Sequence, residues 1–189
     1  MSDSGAFDGP LPAPQRYFVL GTVTLATMLG AMSSTIAYAV LPQMQGSLSA
    51  TQDQIAWSVT FNLMAMAIGT PTTGWLSNRF GRRHVFLVSV TGFSVATFLC
   101  GAAESLETLV IYRVLQGLFV APIVPLSQAI ILGVFPTHQR GLATAIWGMG
   151  VVMGPIFGPT IGGYVAEAYN WRWTFFMIMP VCVLSVFLG

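Results

Sequence analysis

A polytopic all-α membrane bundle is the fold class this sequence predicts, on three observations. Charged residues make up 7% of the chain and apolar ones 54%, against roughly 25% charged in soluble domains. The apolar residues gather in six runs: Tyr17–Val40, Ile55–Leu76, Val85–Ala103, Leu109–Phe135, Leu142–Ala166 and Trp173–Gly189. Each is close to the roughly 20 residues a helix needs to cross about 30 Å of hydrocarbon. The third observation is the stretch from Gly148 to Gly163, with glycines at 150, 154, 158 and 162 and prolines at 155 and 159. In water such a helix fails, because interior glycine costs about 1 and interior proline about 3 kcal/mol. In a bilayer a lone segment has no other spanning structure open to it, and an i, i+4 row of glycines lets a neighbour approach closely. A bent, tightly packed spanning helix is expected there.

In chain order, residues 1–16 are acidic and proline-rich and lack the basic start of a signal peptide. They predict a disordered cytoplasmic lead. Residues 17–189 predict one six-span bundle, since the connections leave no room for a soluble domain. All seven basic residues are arginine. With the N-terminus inside, Arg16, Arg79, Arg82, Arg83 and Arg140 face the cytoplasm and only Arg172 faces out, as the positive-inside rule asks. The last run stops at Gly189 without a polar flank, which leads to the expectation of a piece of a longer chain, or of a half that pairs with a second bundle of six to eight helices.

Several function classes drop out. A net charge of +1 gives no ground for nucleic acid. Cys100 and Cys182 sit inside apolar runs and read as buried small hydrophobes. His84 and His138 lie in separate connections, and no His/Cys/Asp/Glu cluster has metal-ligand spacing. Gly148-Met149-Gly150 lacks the preceding strand and the spacing of a dinucleotide loop. No enzyme, metal or cofactor is expected. The abundance of Met, Phe and Trp suits a soft cavity for apolar molecules, and equally suits ordinary helix packing.

The polar residues within the runs are the candidates for chemistry. Arg113 lies in the fourth run, where a charge costs about 3 kcal/mol by insertion scales unless it meets a cavity or partner. The alternative is an arginine that snorkels to the nearby surface. Gln116, three residues on, shares its helix face. Ser33, Thr35, Tyr38 and Asn62 are further cavity candidates, with Tyr112 and Gln128 behind them. Between the second and third runs lies Gly74-Trp75-Leu76-Ser77-Asn78-Arg79-Phe80-Gly81-Arg82-Arg83. Gly74 permits close helix approach there, Gly81 a tight turn, and the arginines an anchor on the inner face.

That connection resembles the cytoplasmic loop signature of the major facilitator superfamily, in which loop charges grip neighbouring helix ends. Arg113-Val114-Leu115-Gln116-Gly117 resembles the fourth-helix motif, whose arginine the family links to proton coupling. Gly154, Pro155, Gly158, Pro159, Gly162 and Gly163 resemble the fifth-helix antiporter motif, associated with exporters. Met32 to Pro42, Pro125-Leu126-Ser127-Gln128 and Trp171 to Phe176 resemble the drug:proton antiporters with fourteen spans, the EmrB/QacA type. The resemblance covers essentially everything after Gln15. It implies the N-terminal six-helix half of such a transporter, built as an inverted 3+3 repeat, in a bacterial inner membrane. It implies membrane lipid as surroundings, and protons and amphipathic organic molecules as transported species.

Three departures bear on that expectation. Asn78 stands where the loop signature has aspartate, Ser33 where the first span has aspartate, and Ile178 where the sixth span has asparagine. A proton-coupled exporter needs a group that changes protonation within the membrane, and arginine, with a pKa above about 12, does not release its proton. The coupling acid is therefore expected outside this stretch. The alternatives are a remnant that transports nothing and a solute facilitator of the same superfamily.

Overall fold

The computed structural model describes residues 12–188, the side chains of 13 and 186–188 excepted. Residues 1–11 of the expected disordered lead lie outside the described residues. The part of that expectation covering 13–16 is corrected, because helix α1 already begins at Ala13. Seven helices follow one another: α1 (Ala13–Ser47), α2 (Gln52–Phe80), α3 (Arg82–Gly101), α4 (Leu106–Val120), α5 (Ile123–Val134), α6 (Arg140–Ala168) and α7 (Trp171–Leu188). α4 and α5 make one rod, interrupted by a turn at Ala121 and Pro122. Six rods therefore stand where six apolar runs were read.

Four rods are long and apolar enough to cross a membrane: Pro14–Ser47, Arg82–Gly101, Leu106–Val134 and Thr137–Ala168. In α7 the described apolar helix is shorter, Trp171–Ser185. α2 has the length, 29 residues, but carries many Ser, Thr and Asn side chains. Most of its hydroxyls donate to carbonyls one turn back: Ser58 to Ile55 at 2.7 Å, Thr60 to Ala56 at 3.1 Å, Thr70 to Met66 at 2.7 Å and Thr72 to Gly69 at 2.7 Å. A hydroxyl satisfied by its own helix no longer needs water, which makes a helix of this composition tolerable in lipid.

Each helix end has a local cause. Thr51 caps α2 and exchanges hydrogen bonds with Gln54, and Ser105 does the same for α4 with Thr108. Gly81 joins α2 to α3 at φ +82°, a left-handed conformation that a side chain would strain. The prolines at 42, 71, 155, 159 and 180 lie inside helices that continue through them.

The packing has an internal symmetry. α1 packs mainly on α6, and α2 mainly on α4; α3 packs on α4 as α1 packs on α7, with α3 against α7 between them. Exchanging the first three rods for the last three maps each contact onto its partner, as an inverted 3+3 repeat requires. Exposed large side chains on α2 (Phe61, Met64, Ile68) and on α6 (Met149, Val152, Ile156) are apolar. An apolar surface of this kind suits lipid or another bundle.

Glycine builds the two heaviest contacts. On α6, Gly150, Gly154, Gly158 and Gly162 are all buried. A Cβ at Gly154 would lie 2.6 Å from the Met28 carbonyl oxygen, and one at Gly162 2.9 Å from Ile36. At Gly158 it would collide with Thr35 Oγ1, and at Gly150 with Thr24. On α4, a Cβ at Gly117 would collide with the Asn62 carbonyl oxygen of α2. Gly163 faces open space, and Pro155 and Pro159 are exposed.

Candidate functional site

The bundle interior holds two separate polar knots. The first is centred on α4. Arg113 is 1% exposed, so it does not snorkel. Its Nη1 donates to Gln116 Oε1 at 2.9 Å, the i, i+3 neighbour on the same helix face. The Gln116 amide nitrogen donates to Ser33 Oγ of α1 at 3.1 Å and to Thr97 Oγ1 of α3 at 2.8 Å. The Arg113 guanidinium carbon stands 4.8 Å from the ring centroid of Phe175 on α7, within cation–π range. Nε and Nη2 of Arg113 are buried without a hydrogen-bond partner. Asn62 Nδ2 donates to the Arg113 carbonyl at 2.8 Å, tying α2 to the same turn. One arginine turn thus joins α1, α2, α3 and α7.

The second knot joins α1, α5 and α6. Trp147 Nε1 donates to Thr27 Oγ1 at 3.1 Å, and Thr27 lies 3.0 Å from Ser127 Oγ. Thr27 also bonds the Val23 carbonyl at 2.7 Å. Nothing in the immediate sequence around Thr27 marks it. The available signal was Trp147, which sits three residues before Gly150 and so shares the glycine row's face toward α1; a buried indole usually needs an acceptor. Trp147→Phe deletes the donor and part of the buried ring volume. It is expected to cost about 2–3 kcal/mol, the lost hydrogen bond plus the cavity, read as a lowered unfolding midpoint with the helix content unchanged.

Of the cavity candidates, Arg113, Gln116, Ser33 and Asn62 come together. Thr35 and Tyr38 lie elsewhere. Thr35 Oγ1 bonds the Met32 carbonyl of its own helix at 3.0 Å and lies against Gly158, while Tyr38 is 51% exposed. Gln128 is exposed as well.

The loop residues divide in the same way. Arg82 Nη1 donates to the Ala129 carbonyl of α5 at 3.4 Å, and Arg140 Nε to the Phe135 carbonyl at 3.0 Å. Both place positive charge near the C-terminus of α5, where the helix dipole favours it. Arg79 stacks over Trp75 and Phe80, with its Cζ 5.8 Å and 5.9 Å from the ring centroids. Asn78 and Arg83 are exposed. Among the described residues no group of His, Cys, Asp and Glu could hold a metal ion.

An all-helical bundle of six rods, apolar outside and knotted inside by a buried arginine, has the build of a multi-pass membrane protein. The chain belongs to the Major Facilitator Superfamily, whose sequence profile matches residues 23–189. Among relatives, it is 44% identical over 159 residues to the multidrug export protein EmrB of Haemophilus influenzae, covering 84% of this chain and 31% of that protein. It is 38% identical over 177 residues to EmrB of Escherichia coli K12, covering 94% of this chain and 35% of that protein. The chain therefore spans about a third of the length of these relatives. The proton:xylose symporter XylE, solved bound to 6-bromo-6-deoxy-D-glucose, superimposes with a TM-score of 0.83 at 18% identity, covering 94% of this chain and 45% of that one. That likeness concerns the fold.

Proposed function

We propose that this chain is the first six-helix bundle of a multidrug efflux transporter that exports amphipathic organic compounds in exchange for protons. The observation that carries the reading is the similarity to the EmrB export proteins over 84% and 94% of the chain. The buried Arg113–Gln116–Ser33 knot at the meeting of five rods supports it as the polar element such a bundle keeps inside. The glycine row of α6 supplies a stiff, closely packed pair with α1 that can move as a unit. In alternating access this bundle rocks against a second one around a central site. The described acids Asp53, Glu104, Glu107 and Glu167 all lie in connections or in the first or last turn of a helix rather than mid-span, which supports the reading that the protonatable group of the exchange belongs to the second bundle. The test is dye transport by everted membrane vesicles carrying the complete protein. Their cytoplasmic face is outside, so energised vesicles are expected to take up a fluorescent cationic or amphipathic dye into the lumen, and an uncoupler to abolish this. Gradient-independent dye levels across a broad panel would end the proposal.

A second reading, a remnant that folds and transports nothing, is favoured by Ser33 and Asn78, the positions where the first span and the loop lack their expected acids. The same assay separates the two.

The N-terminus and the loop at Asn78–Arg83 are assigned to the cytoplasm of a bacterial inner membrane, from the arginine bias. Cysteines introduced at Ala50 and Phe80 test this with an impermeant maleimide. Position 50 is expected to label in intact cells and position 80 only after permeabilisation; the reverse pattern inverts the topology.

A further inference from the structure

We infer that Arg113 is a receptor for a small monovalent anion, a halide or a carboxylate, held inside the bundle. Nε and Nη2, the two unpartnered nitrogens, share one edge of the guanidinium, so their N–H groups form the parallel fork that matches a carboxylate or cradles a single halide. The opposite side of the group is already committed, with Nη1 on Gln116 at 2.9 Å and the ring of Phe175 4.8 Å from Cζ. What remains is a preoriented fork with no acceptor.

Nothing nearby in the described chain neutralises the charge. Asp53, Glu104, Glu107 and Glu167 are exposed, whereas Arg113 is 1% exposed. A buried arginine with an empty edge is costly, since a buried unpaired charge carries a large desolvation penalty. The surroundings add donors: Gln116 turns its amide nitrogen toward Ser33 and Thr97, which leaves no second acceptor to take the fork. An anion supplies the missing negative charge and both acceptors at once. Both nitrogens are enclosed, so an anion reaches the fork only when the rods around α4 part, and it is occluded when they close on it. This inference goes beyond export: it requires only that the bundle folds.

The test is the unfolding midpoint of the complete protein in detergent, followed by tryptophan fluorescence. The buffers hold potassium chloride, acetate or butanoate, or as reference gluconate, whose carboxylate sits on a bulky six-carbon polyol that an enclosed fork excludes, all at one ionic strength. Above the dissociation constant, each tenfold increase in the anion's concentration is expected to raise the midpoint by about 1–2 °C relative to gluconate, for a protein about three times the length of this chain. A response to chloride alone identifies a halide site, a response to the carboxylates alone a carboxylate site, and equal responses a fork that takes either. Arg113→Gln is expected to lose the response. Ser33→Asp places a fixed carboxylate one amide away from the guanidinium and is expected to lose it too, with the gluconate midpoint at or above that of the wild type. Ser33→Ala keeps the fork empty and is expected to retain the response. A wild-type midpoint that ignores the anion assigns the fork to water and overturns the inference. So does an undiminished response in Arg113→Gln or, where that variant does not fold, in Ser33→Asp. Binding is read here without transport, so failure of the efflux assay leaves this result standing, and the converse.

Discussion

Gln116→Leu is expected to destabilise the bundle by about 3 kcal/mol or more in a gluconate buffer. The amide accepts from Arg113 and donates to Ser33 and Thr97. Without it, a fully enclosed guanidinium keeps no hydrogen-bond partner on any nitrogen, while Thr97 falls back on the Phe93 carbonyl at 2.7 Å. The loss therefore concentrates on the charge. Arg113→Met removes that charge, so the double variant Arg113→Met/Gln116→Leu is expected to be far more stable than the two single losses added together. Replacing a buried polar pair by apolar groups of similar volume is often close to neutral. A double-mutant cycle on detergent unfolding midpoints measures the coupling. Strict additivity would show that the amide does not hold the arginine.

Gly117→Ala and Gly154→Ala are expected to be comparably severe, at about 2–3 kcal/mol each, although each adds a single carbon. At Gly117 that carbon collides with the Asn62 backbone oxygen, and at Gly154 it lies 2.6 Å from the Met28 oxygen and 3.2 Å from the Met32 nitrogen. Backbone cannot rotate away as a side chain does, so the helices must separate, and packing is the main force holding them in lipid. Gly163→Ala, within the same motif as Gly154, meets nothing within 4 Å. It is expected to be neutral or to stabilise by about 0.4–1 kcal/mol, through lost freedom in the unfolded chain. Unfolding midpoints of the three variants check this. Equal effects at 154 and 163 would mean that the motif acts through something other than closeness.

The sequence made parts of this arrangement legible because helical periodicity carries direction. An i, i+4 row of glycines has to face a neighbour, and Arg113 with Gln116 has to share a side. The same periodicity separates the remaining candidates. Thr35 lies two residues from Ser33, about 200° around the helix, and Tyr38 five residues away, about 140° around. Neither can point where Ser33 points. The contact of Thr27 with Ser127 and Trp147 joins residues 100 and 120 positions apart, and local pattern carries no such distance. α2 reads as a span by its length, yet its composition alone falls short; the hydroxyl-to-carbonyl bonds that hide its polarity follow only from the folded helix.

The interruption at Ala121 and Pro122 gives the rod of α4 and α5 uneven compliance. Pro122 has no N–H for the Leu118 oxygen, and Pro125 none for the Ala121 oxygen, while the flanking bonds from Ala121 to Gly117 and from Leu126 to Pro122 are intact at 3.1 Å and 3.0 Å. Flexing between residues 121 and 122 leaves both of these flanking bonds intact. The strut can therefore tilt its arginine-bearing segment while the Ser127 segment stays clamped to α1, and the two interior knots can be worked independently.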